Sequence, residues 1–217
     1  MRTIAFVTQK GGSGKSTLAS SLAVAAREAG EKVFIIDMDP QASLVNWAKA
    51  RGAEAMPVEA VSSGKLAQAL AMMEKNGITL VVIDTPGTDS VESKAAMKAS
   101  DLCIIPARPN VFDLWASERT RKTLKEMKRE FVFLHNQCPP AQQSARVEEG
   151  AKALEAMGGL ITPLIAARVD YQEAARHGLG VSEYNRNGCA AEEMRKLWSS
   201  VKKRMGKAKA VTAKKAA

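Results

Sequence analysis

Cysteine is scarce in this chain: Cys103, Cys138 and Cys189 stand far apart, are odd in number and form no CxxC pair. That argues against a disulfide framework and leaves reduced thiols. Histidine is scarcer, and neither His135 nor His177 has a cysteine or carboxylate at metal-ligand spacing, so neither is read as a ligand. No apolar run is long enough to span a bilayer. No basic segment followed by an apolar stretch and a cleavage site precedes Thr3, so the expected location is cytosolic. No internal repeat is present. Acid is missing from one place, Val201 to Ala217, where Lys202, Lys203, Arg204, Lys207, Lys209, Lys214 and Lys215 supply seven of the net +9 charges. The basicity is therefore mostly a C-terminal feature, and it implies a polyanionic partner, nucleic acid or an anionic membrane.

What is present fills one sizeable core: 217 residues, 46% of them hydrophobic. One domain is expected over residues 1–205. The Ala/Lys tail, residues 206–217, is too poor in apolar bulk to pack and is expected to be disordered. Apolar and β-branched runs at Thr3–Thr8, Val33–Asp37, Ile78–Asp84, Leu102–Pro106, Phe131–Asn136 and Leu160–Ile165 read as strands buried on both faces. Helical patterns lie between them at Lys15–Ala29, Ala42–Arg51, Lys65–Lys75, Leu114–Arg129 and Ala145–Met157, with Gly30, Gly77 and Gly158 where C-caps belong. The alternation predicts an α/β doubly wound fold, with a mostly parallel sheet and helices on both faces.

Immediately after the first strand comes Gln9-Lys10-Gly11-Gly12-Ser13-Gly14-Lys15-Ser16-Thr17, opening a helix. Strand, glycine loop and helix is the context a phosphate cradle requires. Glycines let successive N–H groups converge on one anion, and the helix N-terminus adds its positive end. Lys15 is placed to reach the β and γ phosphates, and the Ser16 hydroxyl to ligate Mg²⁺. The standard pattern wants glycine where Gln9 stands. What fits is the deviant form KGGxGK[ST]T, with Lys10 as an additional lysine.

These residues resemble the ParA/MinD family of deviant Walker ATPases, and within it the small ParA proteins without an N-terminal DNA-reading domain. The likeness extends from Thr3 to about Met205. It implies ATP and Mg²⁺ as cofactors, and a nucleotide sandwich homodimer in which Lys10 crosses the interface to the partner's nucleotide.

The second strand ends in Asp37-Met38-Asp39-Pro40-Gln41. Carboxylates at the carboxyl end of a parallel strand lie on the ligand-binding edge, where they orient the attacking water or hold Mg²⁺ through water. In the family this is the first switch, and Asp39 matches the position whose loss impairs hydrolysis while sparing binding. The alternative makes Asp39 an N-cap before a proline-initiated helix. The strand ending at Asp84 delivers a second carboxylate in the Walker B arrangement, so Ser16, Asp37 and Asp84 are the candidate metal residues. Thr85, Pro86 and Gly87 look like the second switch, with the Gly87 N–H offered to the γ phosphate. Asn136 matches the family's asparagine against adenine, and a loop-capping asparagine is the competing reading.

Met194, Leu197, Trp198, Val201 and Met205 share one helix face, opposite Arg195, Lys196, Lys202, Lys203 and Arg204. The basic face is solvated, binds DNA or lies on a membrane. DNA is favoured over membrane, because the tail continues the charge without another apolar anchor. The resemblance implies sequence-independent binding of double-stranded DNA, hence a nucleoid-associated protein, with Arg168, Arg176, Arg195, Lys196, Lys202 and Lys203 as candidate contacts. It also implies an adaptor, ParB-like, that stimulates ATP hydrolysis and names the cargo: plasmid, chromosome or protein assembly. The alternatives are a MinD-like membrane ATPase and a metabolic relative. An iron–sulfur reductase needs paired cysteines that Cys103 and Cys138 do not supply, and no substrate motif marks a synthetase.

Overall fold

The computed structural model describes residues 1–52, 56–140 and 145–216, with side chains described as far as Gly206. Six strands, β1 (Arg2–Phe6), β2 (Val33–Asp37), β3 (Val58–Ala60), β4 (Leu80–Asp84), β5 (Leu102–Ala107) and β6 (Phe131–His135), form one sheet in the order β3-β2-β4-β1-β5-β6. Every pairing is parallel. β1 lies between β4 and β5, so the chain reverses its direction of winding around β1. In such sheets the ligand crevice opens at the carboxyl ends of the strands beside that point.

The strands alternate between two cores. Ile4, Phe6, Ile35, Val82, Ile104 and Leu134 face one helical layer, in which α1 (Lys15–Glu28) and α9 (Cys189–Ala216) pack with α7 (Val169–Arg176) and the short α8 (Val181–Tyr184). Ala5, Val7, Ile36, Ile83, Cys103, Ile105 and Phe133 face the other, built from α3 (Leu66–Lys75), α4 (Val91–Ala99), α5 (Val111–Glu126) and α6 (Ala145–Gly158). α2 (Ser43–Arg51) follows β2 and sends Leu44 and Trp47 into the first core. The expected apolar face of α9 is there too, with Met194, Leu197, Trp198, Val201 and Met205 buried. α9 continues to Ala216, but the side chains of the Ala/Lys tail lie outside the described residues, and the expectation of disorder with them.

The helices α7 and α8 were not expected from the sequence, and other elements differ from its reading too. β3 is only three residues long and half-exposed, too short for an apolar pattern to show. α4 follows its N-cap Ser90, whose side chain accepts from the Ser93 N–H, and buries little more than Ser93, Ala96 and Met97. The expected strand Leu160–Ile165 runs alongside β6 but makes only isolated bridges, from Leu160 to Phe133 and from Ala166 to Cys138. Pro163 interrupts it, having no N–H to give to a ladder.

β6 ends at His135, which is fully buried against α6 where that helix has Gly150; a Cβ there would come within 2.8 Å of the imidazole. Neither ring nitrogen has a partner among the described residues, and burial holds the imidazole below its ordinary pKa. The unfolded chain takes up this proton near pH ~6.5 and the native chain only lower. In that window the unfolded state binds more protons, so this site loses stability as pH falls. Buried Asp37 and Asp84, whose carboxyls burial pushes up, act with the opposite sign. Urea midpoints measured from pH 7.5 to 5 for wild type and His135→Leu should therefore differ in slope, the variant falling less toward acid. Equal slopes would contradict the assignment.

Candidate functional site

The loop between β1 and α1 turns through two left-handed glycines, Gly12 at φ 75° and Gly14 at φ 90°. Gly14 is the N-cap of α1, so the free N–H groups of the first helical turn face the cavity above it. A side chain at Gly14 would collide with Asn136, its Cβ 2.5 Å from the amide nitrogen. One at Gly87 would lie 2.9 Å from the backbone nitrogen of Gly11. Both glycines are thus required by close approach: Gly14 lets β6's end touch the loop, and Gly87 lets the turn after β4 lie on it.

Parallel register sets the carboxylates. Asp37 and Asp84 are paired residues on neighbouring strands, and Phe6, which leads into the loop, pairs with Asp84 on the other side. Asp84 has no exposure; its Oδ2 accepts from the Ser16 hydroxyl at 2.5 Å, and its Oδ1 has no partner among the described residues. Burial, countered by the Ser16 hydrogen bond, pushes its carboxyl up to about 7. Lys15 is nearly buried, and burial lowers its pKa against the pull of Asp84 and Asp39. A buried oxygen with nothing to bind, beside a hydroxyl and an ammonium, suits a hard divalent cation that would bring charge of the missing sign. The donor set of Ser16 and Asp84 therefore fits Mg²⁺.

Asp37, expected among the metal residues, is differently employed. Its Oδ1 accepts from the Asp39 N–H at 3.1 Å, and its Oδ2 from the N–H groups of Leu44 and Val45 at 2.9 and 3.2 Å. It therefore satisfies the open end of α2, the capping role the sequence had allowed for Asp39. The Asp39 carboxylate instead accepts, among the described residues, only from the Gln41 N–H at 3.0 Å, and Asp39 lines a cavity over the loop. That cavity, of about 760 Å³, is walled by Gly11, Gly12, Lys15, Asp39 and Gly87, with Trp47 from α2 at its far side. A second cleft of about 410 Å³ opens across Gly14 and Thr17, between Gln137 and the stretch Ala166–Gln172.

Asn136 lines this second cleft, and its amide nitrogen donates to the Ser13 carbonyl at 2.7 Å. Gln137, in the left-handed region, braces the loop through the Gly12 carbonyl at 3.3 Å. Lys10 lines neither cavity. Its ammonium is held 2.5 Å from Asp113 Oδ2 and lies 5.6 Å from the centre of the Phe112 ring.

Sequence reasoning missed Asp113, because α5 was begun at Leu114. The signal was there: Asn110 accepts from the Asp113 N–H, an N-cap three residues before an acid. The first turn of α5 thereby brings Asp113 under the loop and leaves Phe112 and Trp115 exposed.

Most of the basic residues singled out for DNA carry acidic neighbours. Arg168 pairs with Glu193, Arg176 with Glu173, Lys196 with Glu192 and Lys202 with Glu31. Arg195 donates to the Arg186 carbonyl, and Lys203 has no acid partner among the described residues. Among those residues there is no cluster of His, Cys, Asp or Glu able to hold a metal by itself, and no helix long and apolar enough to cross a membrane.

Lys15→Ala removes the ammonium that lines the cavity over the loop and should weaken binding of ATP with Mg²⁺ at least about 100-fold, as loss of a desolvated charge contact does. Calorimetric titration measures it. Unchanged affinity would mean that the loop is not the nucleotide site.

Comparison with known proteins agrees with this geometry. The family model described as the CobQ/CobB/MinD/ParA nucleotide binding domain matches residues 4–204. The chain is similar to maintenance of carboxysome distribution protein A of Gloeobacter kilaueensis, 33% identical over 84% of this chain and 85% of that protein. To the protein of that name from Halothiobacillus neapolitanus it is 29% identical, over 92% and 95%. Its fold is that of the septum site-determining protein MinD from Pyrococcus horikoshii, solved with Mg-ADP: TM-score 0.72, 20% identity, 95% of this chain and 98% of that one. With the phosphate loop, the paired acidic strands and a family match over nearly its whole length, the chain belongs to the CobQ/CobB/MinD/ParA nucleotide-binding family.

Proposed function

We propose that this protein is a ParA-type ATPase that self-associates on ATP, holds DNA without reading its sequence and positions a cargo. The observation that carries the reading is the division of the two lysines of the phosphate loop. Lys15 faces the cavity of its own chain, while Lys10 lines neither cavity and sits at the rim against Asp113. A lysine of the loop that its own nucleotide does not use is available to a second copy, which supports a homodimer with nucleotide between the chains. Two curated relatives named for carboxysome distribution support positioning as the task.

ATP would lie along the loop, its phosphates over the N–H groups of Gly11 to Thr17 and its base in the cleft beside Asn136. Ser16 and Asp84 would hold Mg²⁺, which when bound supplies charge that offsets the phosphate oxygens. Lys15 neutralises the β and γ phosphates. Asp39, whose carboxylate accepts only from the Gln41 N–H among the described residues, would orient water at the mouth of the cavity. The Gly87 N–H, held against the loop, approaches the γ-phosphate end. A partner protein would stimulate the reaction by ordering these groups, as positioning is most of what phosphoryl transfer needs.

For DNA the support is electrostatic. The pairs Lys196–Glu192 and Lys202–Glu31 join exposed groups, and such pairs contribute only ~0–1 kcal/mol. A phosphate backbone can therefore take these lysines from their acids at little cost, and Lys203 has no acid partner to leave among the described residues. The apolar side of α9 is consumed by the core, so residues 189–206 keep no greasy face for a bilayer. This observation favours DNA over an anionic membrane.

ATP-bound protein should retain duplex DNA of any sequence, more tightly than ADP-bound protein, because two basic surfaces then meet one duplex. Log K should fall linearly with log salt, at roughly −0.9 per phosphate contacted. Filter binding across a salt series tests this. Retention on anionic liposomes but not on DNA at low salt would overturn the DNA reading and establish the membrane one.

A further inference from the structure

Asp113 is a carboxylate with 2% exposure that takes bonds from two cations. Lys10 Nζ lies 2.5 Å from its Oδ2. Arg108 approaches with a fork: Nε lies 3.1 Å from Oδ1, Nη2 3.2 Å from Oδ2, and the Arg108 backbone N–H 3.3 Å from Oδ1. The remaining guanidinium nitrogen, Nη1, faces the phosphate loop, 3.8 Å from where a Cβ on Gly12 would stand. Nothing in the nucleotide chemistry above uses Arg108, which lines neither cavity.

The two cations differ in what they can do. A lysine on a flexible stem is a single movable point charge, whereas an arginine fork fixed on both oxygens stays charged and stays put. If Lys10 swings toward a second chain, Asp113 loses one of its partners. A buried carboxylate stripped of its only cation is strongly destabilising, so with Lys10 as sole partner the bond would be a trap. With Arg108 in place, both oxygens keep a charged donor after Lys10 has gone.

We infer that Arg108 is a positioning residue for Lys10: by remaining on Asp113 it keeps that carboxylate satisfied and so lets Lys10 leave its own chain for the partner's nucleotide. The destination of Lys10 rests on the ATP-dependent homodimer proposed above. The release itself is a property of one chain. Phe112, whose ring is exposed, has its centre 5.6 Å from the Lys10 ammonium.

The test uses the full chain and two readouts. Arg108→Gln should leave ADP affinity within about twofold of wild type, and weaken self-association with Mg²⁺ and a non-hydrolysable ATP analogue by at least about tenfold, since a Lys10 bound to an otherwise unpaired carboxylate no longer exchanges readily. Adding Asp113→Asn to that variant should restore association to within about threefold, because no charge is left to hold Lys10. A merely structural role for Arg108 gives no such rescue. Trace labelling of the Lys10 amine with acetic anhydride, read by mass spectrometry, reports the hold on Lys10 without any association. Labelling should fall in Arg108→Gln and rise in Asp113→Asn. Unchanged labelling, or loss of association without rescue, would overturn the inference. Should Arg108→Gln fail to fold, Asp113→Asn alone decides: raised labelling supports the release, and unaltered labelling overturns it. A wild type that never associates while the labelling follows the expected order would overturn the dimer and leave the release standing.

Discussion

The hydrogen bond from the Ser16 hydroxyl to Asp84 ties the first residues of α1 to the end of β4, with no water in between. Much of the architecture serves to hold that contact. β1 must run between β4 and β5, so that the loop leaving Phe6 emerges beside Asp84. β2 must pair with β4 in the register that sets Asp37 next to it, and Asp37 must in turn gather the N–H groups of α2. Burial raises the Asp84 carboxyl to about 7, so the site is electrostatically incomplete and best matched to a bound cation.

From that contact the nucleotide groups divide by layer. α1, under the first core, carries Lys15, Ser16 and Thr17. β6 brings Asn136 onto the Ser13 carbonyl, and the turn after β4 presses Gly87 against Gly11. The phosphate loop is therefore braced on two sides by elements far away in sequence, which keeps its N–H groups convergent before any anion arrives. Preorganised donors of this kind cost no rearrangement when charge appears among them. On its third side lies the first turn of α5, where Asp113 gathers Lys10 and Arg108. The bonds on this flank are ionic, and the same turn exposes Phe112 and Trp115.

Much of this was legible in the residues themselves. The near-continuous apolar runs that end in Asp37 and Asp84 gave parallel strands buried on both faces, and the glycines around Lys15 gave the loop, since no other residue permits its φ angles or such close approach. That Asp37 caps α2 was not legible, because which N–H groups come near a carboxylate is settled by how α2 packs. Leu160–Ile165 read as a strand on composition, yet Pro163 deprives it of a ladder. The pairing of Arg168 with Glu193 was invisible for the same reason: the two are distant in sequence and meet only when α7 packs near α9. Asp113 left a local mark in Asn110, three residues before it, but that pattern says only that a helix begins.

The account turns on ATP bringing two chains together across the phosphate loops, with Asp39 needed to end that state. Light scattering on the Asp39→Ala protein with Mg²⁺ and ATP, against the same protein with ADP, measures this most directly. The account predicts a mass that doubles with ATP, persists because hydrolysis is slow, and stays at that of one chain with ADP. A single-chain mass with both nucleotides, in protein shown to have bound them, would contradict it.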